Sequence, residues 1–156
     1  MTENIQENKS YRVVNIITPS VSTAKALEIM NANLILKDTE KMIHQNVSMK
    51  NFAYSIFRHN SGHYIVSDIE ASKETIKELN EKMRLNENFL RTVILSQGKN
   101  FDLDEAFVKR LASYTTRRGR IIFQSGRRHN RITRKNIENH IKIARILGLL
   151  PFCNYN

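Results

Sequence analysis

Apolar positions along the chain switch between two periods. Tyr11–Thr18 is an apolar, β-branched run closed by Pro19 and Ser20, which predicts a strand. From Ser22 to about Lys41, Leu27, Met30 and Leu34 recur at three- and four-residue steps, predicting a helix capped by Ser22. Asn51–Arg58 alternates through Phe52, Tyr54 and Ile56. A turn-like His59-Asn60-Ser61-Gly62 follows, then a second run, His63–Ile69; together they predict a hairpin. Ser72 opens another helix with Ile76, Leu79 and Met83 on one side, and Asn88–Ser96 is a last apolar strand. The order strand, helix, strand, strand, helix, strand predicts an α+β, ferredoxin-like split βαβ domain: an open four-stranded antiparallel sheet backed by two helices.

Beyond residue 97 the pattern is helical. Asp102 and Glu105 fit a capping pair ahead of Phe107, Val108, Leu111 and Tyr114, which predicts a helix over 103–115. A second helix is expected from about Asn130 to Gly148. On its helical wheel Arg131, Arg134, Lys135, Lys142 and Arg145 share an arc of roughly 100°, with Glu138 the one acid among them. Apolar stripes flank that arc: Ile137, Ile141 and Ala144 on one side, Ile132, Ile143, Ile146 and Leu147 on the other.

Charge sharpens this division. The net charge is +10 over 156 residues. Residues 1–98 hold 12 Lys/Arg against 11 Asp/Glu, a net of +1, whereas 99–156 hold 13 against 4, a net of +9. The expected layout is a flexible N-terminus (1–10), the split βαβ domain (11–97), a joint (98–102) around Gln97-Gly98-Lys99-Asn100, and a small basic helical domain (103–156) docked on the sheet. A one-sign stripe self-repels unless it faces counter-charge, so the second part points to a polyanionic partner. RNA is the candidate, met by Arg117, Arg118, Arg120, Arg127, Arg128, Arg131, Arg134, Lys135, Lys142 and Arg145. Leu149, Leu150 and Phe152 are too apolar for a free tail and are expected to dock on the first domain. If buried, the Phe152 ring would be worth about 3–5 kcal/mol on truncation. Lys142→Ala with Arg145→Ala is expected to weaken RNA binding without unfolding the chain. The uncovered sheet face lacks the Lys/Arg-Gly-Phe-type strand motif of RNA-recognition modules, which favours protein docking there.

Other chemistry is sparse. His44, His59, His63, His129 and His140 and the single Cys153 are scattered without metal-ligand spacing, so no metal is expected. Cys153 lacks an evident base partner, and His140 is expected at a surface or an interface. Five glycines include no phosphate-binding loop, and no cofactor or small-molecule substrate is implied. Glu70, Glu74 and Glu78 fit a solvated helix start better than an acid/base pair. No apolar run reaches the roughly 18 residues of a membrane span, and no membrane partner is expected.

Two stretches resemble known families. Lys50-Asn51-Phe52-Ala53-Tyr54-Ser55-Ile56, Gly62-His63-Tyr64 and Arg84-Leu85-Asn86-Glu87-Asn88-Phe89-Leu90-Arg91 resemble small-subunit ribosomal protein six, over about residues 11–96. Gly119-Arg120-Ile121-Ile122 and the run from Ile141 to Phe152 resemble small-subunit ribosomal protein eighteen, over about 101–153. These families are neighbours on the platform of the bacterial-type small subunit, so the resemblance implies a fusion of the pair. It implies a structural, non-enzymatic constituent that binds small-subunit ribosomal RNA of the platform (central domain), supports assembly and translation, and touches neighbouring small-subunit proteins. It implies RNA contacts at Arg120, Lys142 and Arg145. Where family eighteen has Pro, Arg and Thr-Gly, this chain has Phe123, Ser125, Arg127 and Arg128, and that family's N-terminal extension is replaced by the joint. The expected location is the ribosome of a bacterial cytoplasm, with an organelle ribosome as alternative. The alternative function is a free RNA-binding regulator or RNA chaperone using the same basic helix.

Overall fold

The computed structural model describes residues 8–34, 36, 40–96, 101, 103–123 and 130–153. The N-terminal elements are β1 (Lys9–Ile17), α1 (Thr23–Asn33), β2 (Lys41–Ile56), β3 (His59–Ala71), α2 (Lys73–Leu85) and β4 (Phe89–Ser96). The strands form one sheet in the order β2-β3-β1-β4. β1 is central and antiparallel to both neighbours, with Val14 opposite Val66 on β3 and Val93 on β4. This is the expected split βαβ sheet, followed by further helices α3 (Glu105–Ala112) and α4 (Arg131–Ile146).

Alternation on the strands and a 3.6-residue period on the helices bring one set of side chains together. Val13 and Ile17 from β1, and Ile65, Ile69 and Ala71 from β3, pack with Ala26 and Met30 of α1 and Ile76, Leu79 and Met83 of α2. Asn15 is fully buried among them. Its amide donates to Met30 Sδ at 3.0 Å, and its oxygen accepts from Thr92 Oγ1 at 2.8 Å, which offsets the cost of desolvating it. Arg12 and Asp68 face each other across β1 and β3 in a two-pronged ion pair of 2.7 and 3.0 Å. Ser72 caps α2 as expected, accepting from Thr75 N–H, while its own N–H donates to Glu40 Oε1 at 2.9 Å.

Several boundaries differ from expectation. α1 stops at Asn33, not near Lys41. Asn31 and Asn33 are weak helix formers, and Asn33 Nδ2 turns back onto Ile29 O at 2.7 Å. β2 begins at Lys41, ten residues before the alternating segment, because much of its first stretch is exposed and carries no alternation. The hairpin turn lies at Phe57-Arg58, not at 59–62. Both residues have positive φ (47° and 68°), as a two-residue type I′ connection requires, without the usual Asn or Gly. β1 begins at Lys9, so Lys9 and Ser10 belong to the sheet, opposite Ala71 and Glu70; residues 1–7 lie outside the described residues. α3 is shorter than 103–115, and its cap is Asp104, not Asp102, which lies outside the described residues.

The chain divides into two compact units, Met1–Lys50 with Ser61–Lys99, and Asn51–Asn60 with Asn100–Asn156. The tip of the β2–β3 hairpin thus clusters with the C-terminal helices. Of the expected joint 98–102, only Phe101 is described, and it is buried.

Leu79→Ala removes a fully packed side chain shared by α2 and the sheet. It should lower stability by about 2–5 kcal/mol, read as a lower urea midpoint with unchanged slope.

Candidate nucleic-acid interface

The second unit is held together around the carboxyl end of α4. Its last turn closes in a Schellman motif: Gly148 N–H donates to Arg145 O at 3.1 Å, and Leu149 N–H to Ala144 O at 2.9 Å. Gly148, at φ +69°, supplies the left-handed residue that motif needs. A Cβ there would also lie 2.9 Å from Ile56 Cδ1. The turn sits against the hairpin tip: Ala53 N–H donates to Gly148 O at 2.7 Å, and Tyr54 O–H to Arg145 O at 2.6 Å. β2 is an edge strand, so this bond occupies an N–H that the sheet leaves open.

A second turn is fastened to the same place. Thr115 and Ile121 bridge antiparallel, and Gly119 N–H donates to Thr116 O at 2.9 Å, so Arg117 and Arg118 form the corner of a β-turn and are exposed. Gly119 follows at φ +77°. A Cβ at Gly119 would overlap the Phe152 carbonyl oxygen. Arg145 Nη2 donates to Gly119 O at 2.6 Å, and Cys153 Sγ lies 3.6 Å from Arg118 O.

The expected contact residues separate into three groups. Arg117, Arg118, Arg120, Arg131, Arg134, Lys135 and Lys142 are exposed. Of these, Arg134 also lies over the Phe123 ring, 5.6 Å from its centroid. Arg127 and Arg128 lie outside the described residues. Arg145 is half-buried and bonded inward to Gly119, with no partner for its Nε among the described residues. Its position on the wheel marked it as a surface cation, and the wheel cannot tell a cation that faces solvent from one that reaches a neighbouring carbonyl. The expectation that Arg145→Ala leaves folding intact therefore changes, because that arginine ties the 116–119 turn to α4.

Of the residues expected to dock, Leu150 is buried and Leu149 half-buried. Phe152 is 53% exposed, with its ring 5.5 Å from Tyr54. Full burial was the condition for a 3–5 kcal/mol cost; half-burial and one aromatic pair reduce it to about 1–2 kcal/mol. His140 packs edge-on to Phe101 and Phe107 at 6.1 and 5.6 Å and is half-buried. Among the described residues no group of His, Cys, Asp or Glu has the geometry of a metal site, and no helix is long and apolar enough to cross a membrane.

The electrostatics of α4 run against its own stability. Its first turn holds no acid, its cap residue Asn130 makes no side-chain capping bond among the described residues, and Arg131 and Arg134 sit there exposed, with Lys135 next along the helix. Cations at a helix amino end oppose the macrodipole by about 0.3–1 kcal/mol each. An anion placed there would meet the amino-end N–H groups and the cations together.

Two substitutions test this geometry. Gly119→Ala should lower the melting temperature more than Gly148→Ala, because its Cβ meets backbone and not the end of a flexible side chain. Tyr54→Phe removes one of two donors to the Arg145 carbonyl, which keeps Gly148 N–H, and should cost about 0.5–1.5 kcal/mol in urea unfolding.

Comparison with known proteins agrees with this fold. Residues 10–96 match the family model described as Ribosomal protein S6. Small ribosomal subunit protein bS6 of Mycobacterium bovis is 30% identical over 96 residues, covering 59% of this chain and 99% of that protein. The bS6 of Rhodococcus opacus is 31% identical over 94 residues, covering 58% and 99%. The crystal structure of 30S ribosomal protein S6 from Thermotoga maritima superposes with a TM-score of 0.51 at 21% identity, covering 69% of this chain and 99% of that one, a likeness of fold. The chain belongs to the ribosomal protein S6 family, whose members are structural proteins of the small ribosomal subunit and not enzymes.

Proposed function

We propose that this chain is a platform constituent of the small subunit that carries two neighbouring ribosomal proteins in one polypeptide. The S6 domain supplies the sheet, and the C-terminal part, which resembles ribosomal protein eighteen, binds central-domain ribosomal RNA. The observation that carries the reading is the exposed, one-signed set Arg131, Arg134, Lys135 and Lys142 on α4, three of them near an amino end where Asn130 makes no side-chain capping bond among the described residues. Arg117, Arg118 and Arg120 extend it from the adjoining turn. Phosphates would neutralise these charges and release condensed counterions, so affinity would fall steeply with salt. Bacterial relatives favour a ribosome in a bacterial cytoplasm, with neighbouring small-subunit proteins as further partners.

Arg131→Gln, Lys135→Gln and Lys142→Gln together should weaken binding of a central-domain RNA fragment and flatten the log–log salt slope by roughly 2–3, with no loss of melting temperature. An unchanged slope would remove α4 as the contact. Sedimentation of the tagged chain in its host lysate tests the wider reading. Co-migration with the small subunit supports it, and a light-fraction peak on diverse RNAs would favour the free regulator.

A further inference from the structure

We propose that the β2–β3 turn, Phe57-Arg58, is a second RNA contact of this unit, with the Phe57 ring stacking on an unpaired base and the Arg58 guanidinium meeting a flanking phosphate. The inference rests on the RNA-binding reading above. It adds a feature of the ligand: an unstacked, single-stranded nucleotide met at the carboxyl end of α4, beyond the phosphates held along that helix.

Four observations converge. Phe57 is 75% exposed, a large ring left in water at the point of the hairpin. Phe57 and Arg58 both hold left-handed backbone, in a turn type that strongly favours asparagine and glycine. Backbone held in sparsely populated conformations clusters at ligand contacts, where the side chain retained is the one the contact needs. The base of the turn is rigid: Ile56 is buried one residue before Phe57, and Tyr54 is bonded to α4 and paired with Phe152. The backbone beneath the ring is therefore held at a set position. Finally, the tip belongs to the unit that carries Arg117, Arg118 and α4. Phe152 links the two, packing its ring on Tyr54 and its carbonyl on Gly119.

The neighbours select RNA over a protein pocket. Ser55, Arg58 and Asn60 are polar and exposed, and His59 is half-buried. A protein anchor is usually ringed by near-neutral contacts that exclude water. An exposed aromatic beside a cation in a basic unit is the arrangement of single-strand binders, where stacking is tolerant of base identity.

The chain contains no tryptophan, so Phe57→Trp in the full-length protein installs a single reporter at the turn. Titration with a central-domain fragment of small-subunit RNA should quench its emission, reversibly with salt. Phe57→Ala should bind that fragment about 5- to 100-fold more weakly, and Phe57→Tyr should restore binding. Phe57→Gly relaxes the turn, so it should keep or raise the melting temperature while losing the same affinity. If wild type binds with its steep salt slope but the tryptophan stays unquenched and Phe57→Ala binds normally, the turn contact is overturned and the α4 reading stands. If wild type shows no salt-dependent binding, both fall. Quenching by RNA-free small-subunit proteins, and not by the fragment, would make the turn a protein contact and overturn the proposal.

Discussion

The second unit depends on one backbone contact, the Gly148 carbonyl on the Ala53 N–H. Gly148 has to leave α4 in left-handed conformation for its carbonyl to reach an edge strand, and it has to lack a side chain for Ile56 to lie so close. Once that turn is seated, Arg145 is placed so that its carbonyl meets Tyr54 and its guanidinium reaches Gly119. The 116–119 turn then has an anchor, and the Phe152 carbonyl closes over it. Two glycines, far apart in sequence and both in the same region of conformational space, thus fix a strand edge, a helix end and an arginine corner.

The sheet and its helices were largely legible in the sequence. The start and the buried face of α2 could be read, because Ser72 is a strong cap and Ile76, Leu79 and Met83 keep a clean period. The length of β2 was not legible: residues 41–50 are held by strand pairing and carry little amphipathic signal. The turn position is not legible, because His59-Asn60-Ser61-Gly62 has turn composition, whereas positive φ at Phe57 and Arg58 leaves no mark in residue type. The basic face of α4 could be read from the wheel. The inward role of Arg145 could not, since it depends on a loop carbonyl 26 residues away. Nor could composition show that the hairpin tip clusters with the C-terminal helices.

Stability and charge pull in opposite directions along α4. Its carboxyl end is closed by a glycine motif and inter-element hydrogen bonds, while exposed cations collect near its amino end, where Asn130 makes no side-chain capping bond among the described residues. The first arrangement favours a fixed position in the fold. The second is unfavourable in isolation and becomes favourable only beside negative charge. A helix anchored at one end and electrostatically unfinished at the other holds its charges at a set position before any partner arrives, so less freedom is lost when one does.

The hairpin tip also sets a clock on synthesis. Tyr54 and its acceptor at Arg145 are 91 residues apart. At elongation rates of about 5–20 residues per second, the tip leaves the translating ribosome roughly 5–18 s before its acceptor does. For that interval Phe52, Tyr54 and Ile56 lack the C-terminal residues that later pack on them, on an open strand edge of the kind that stray strands and holding chaperones engage. A protein that chaperones bind as it is made would here owe that traffic to the order of its chain and not to weak final stability.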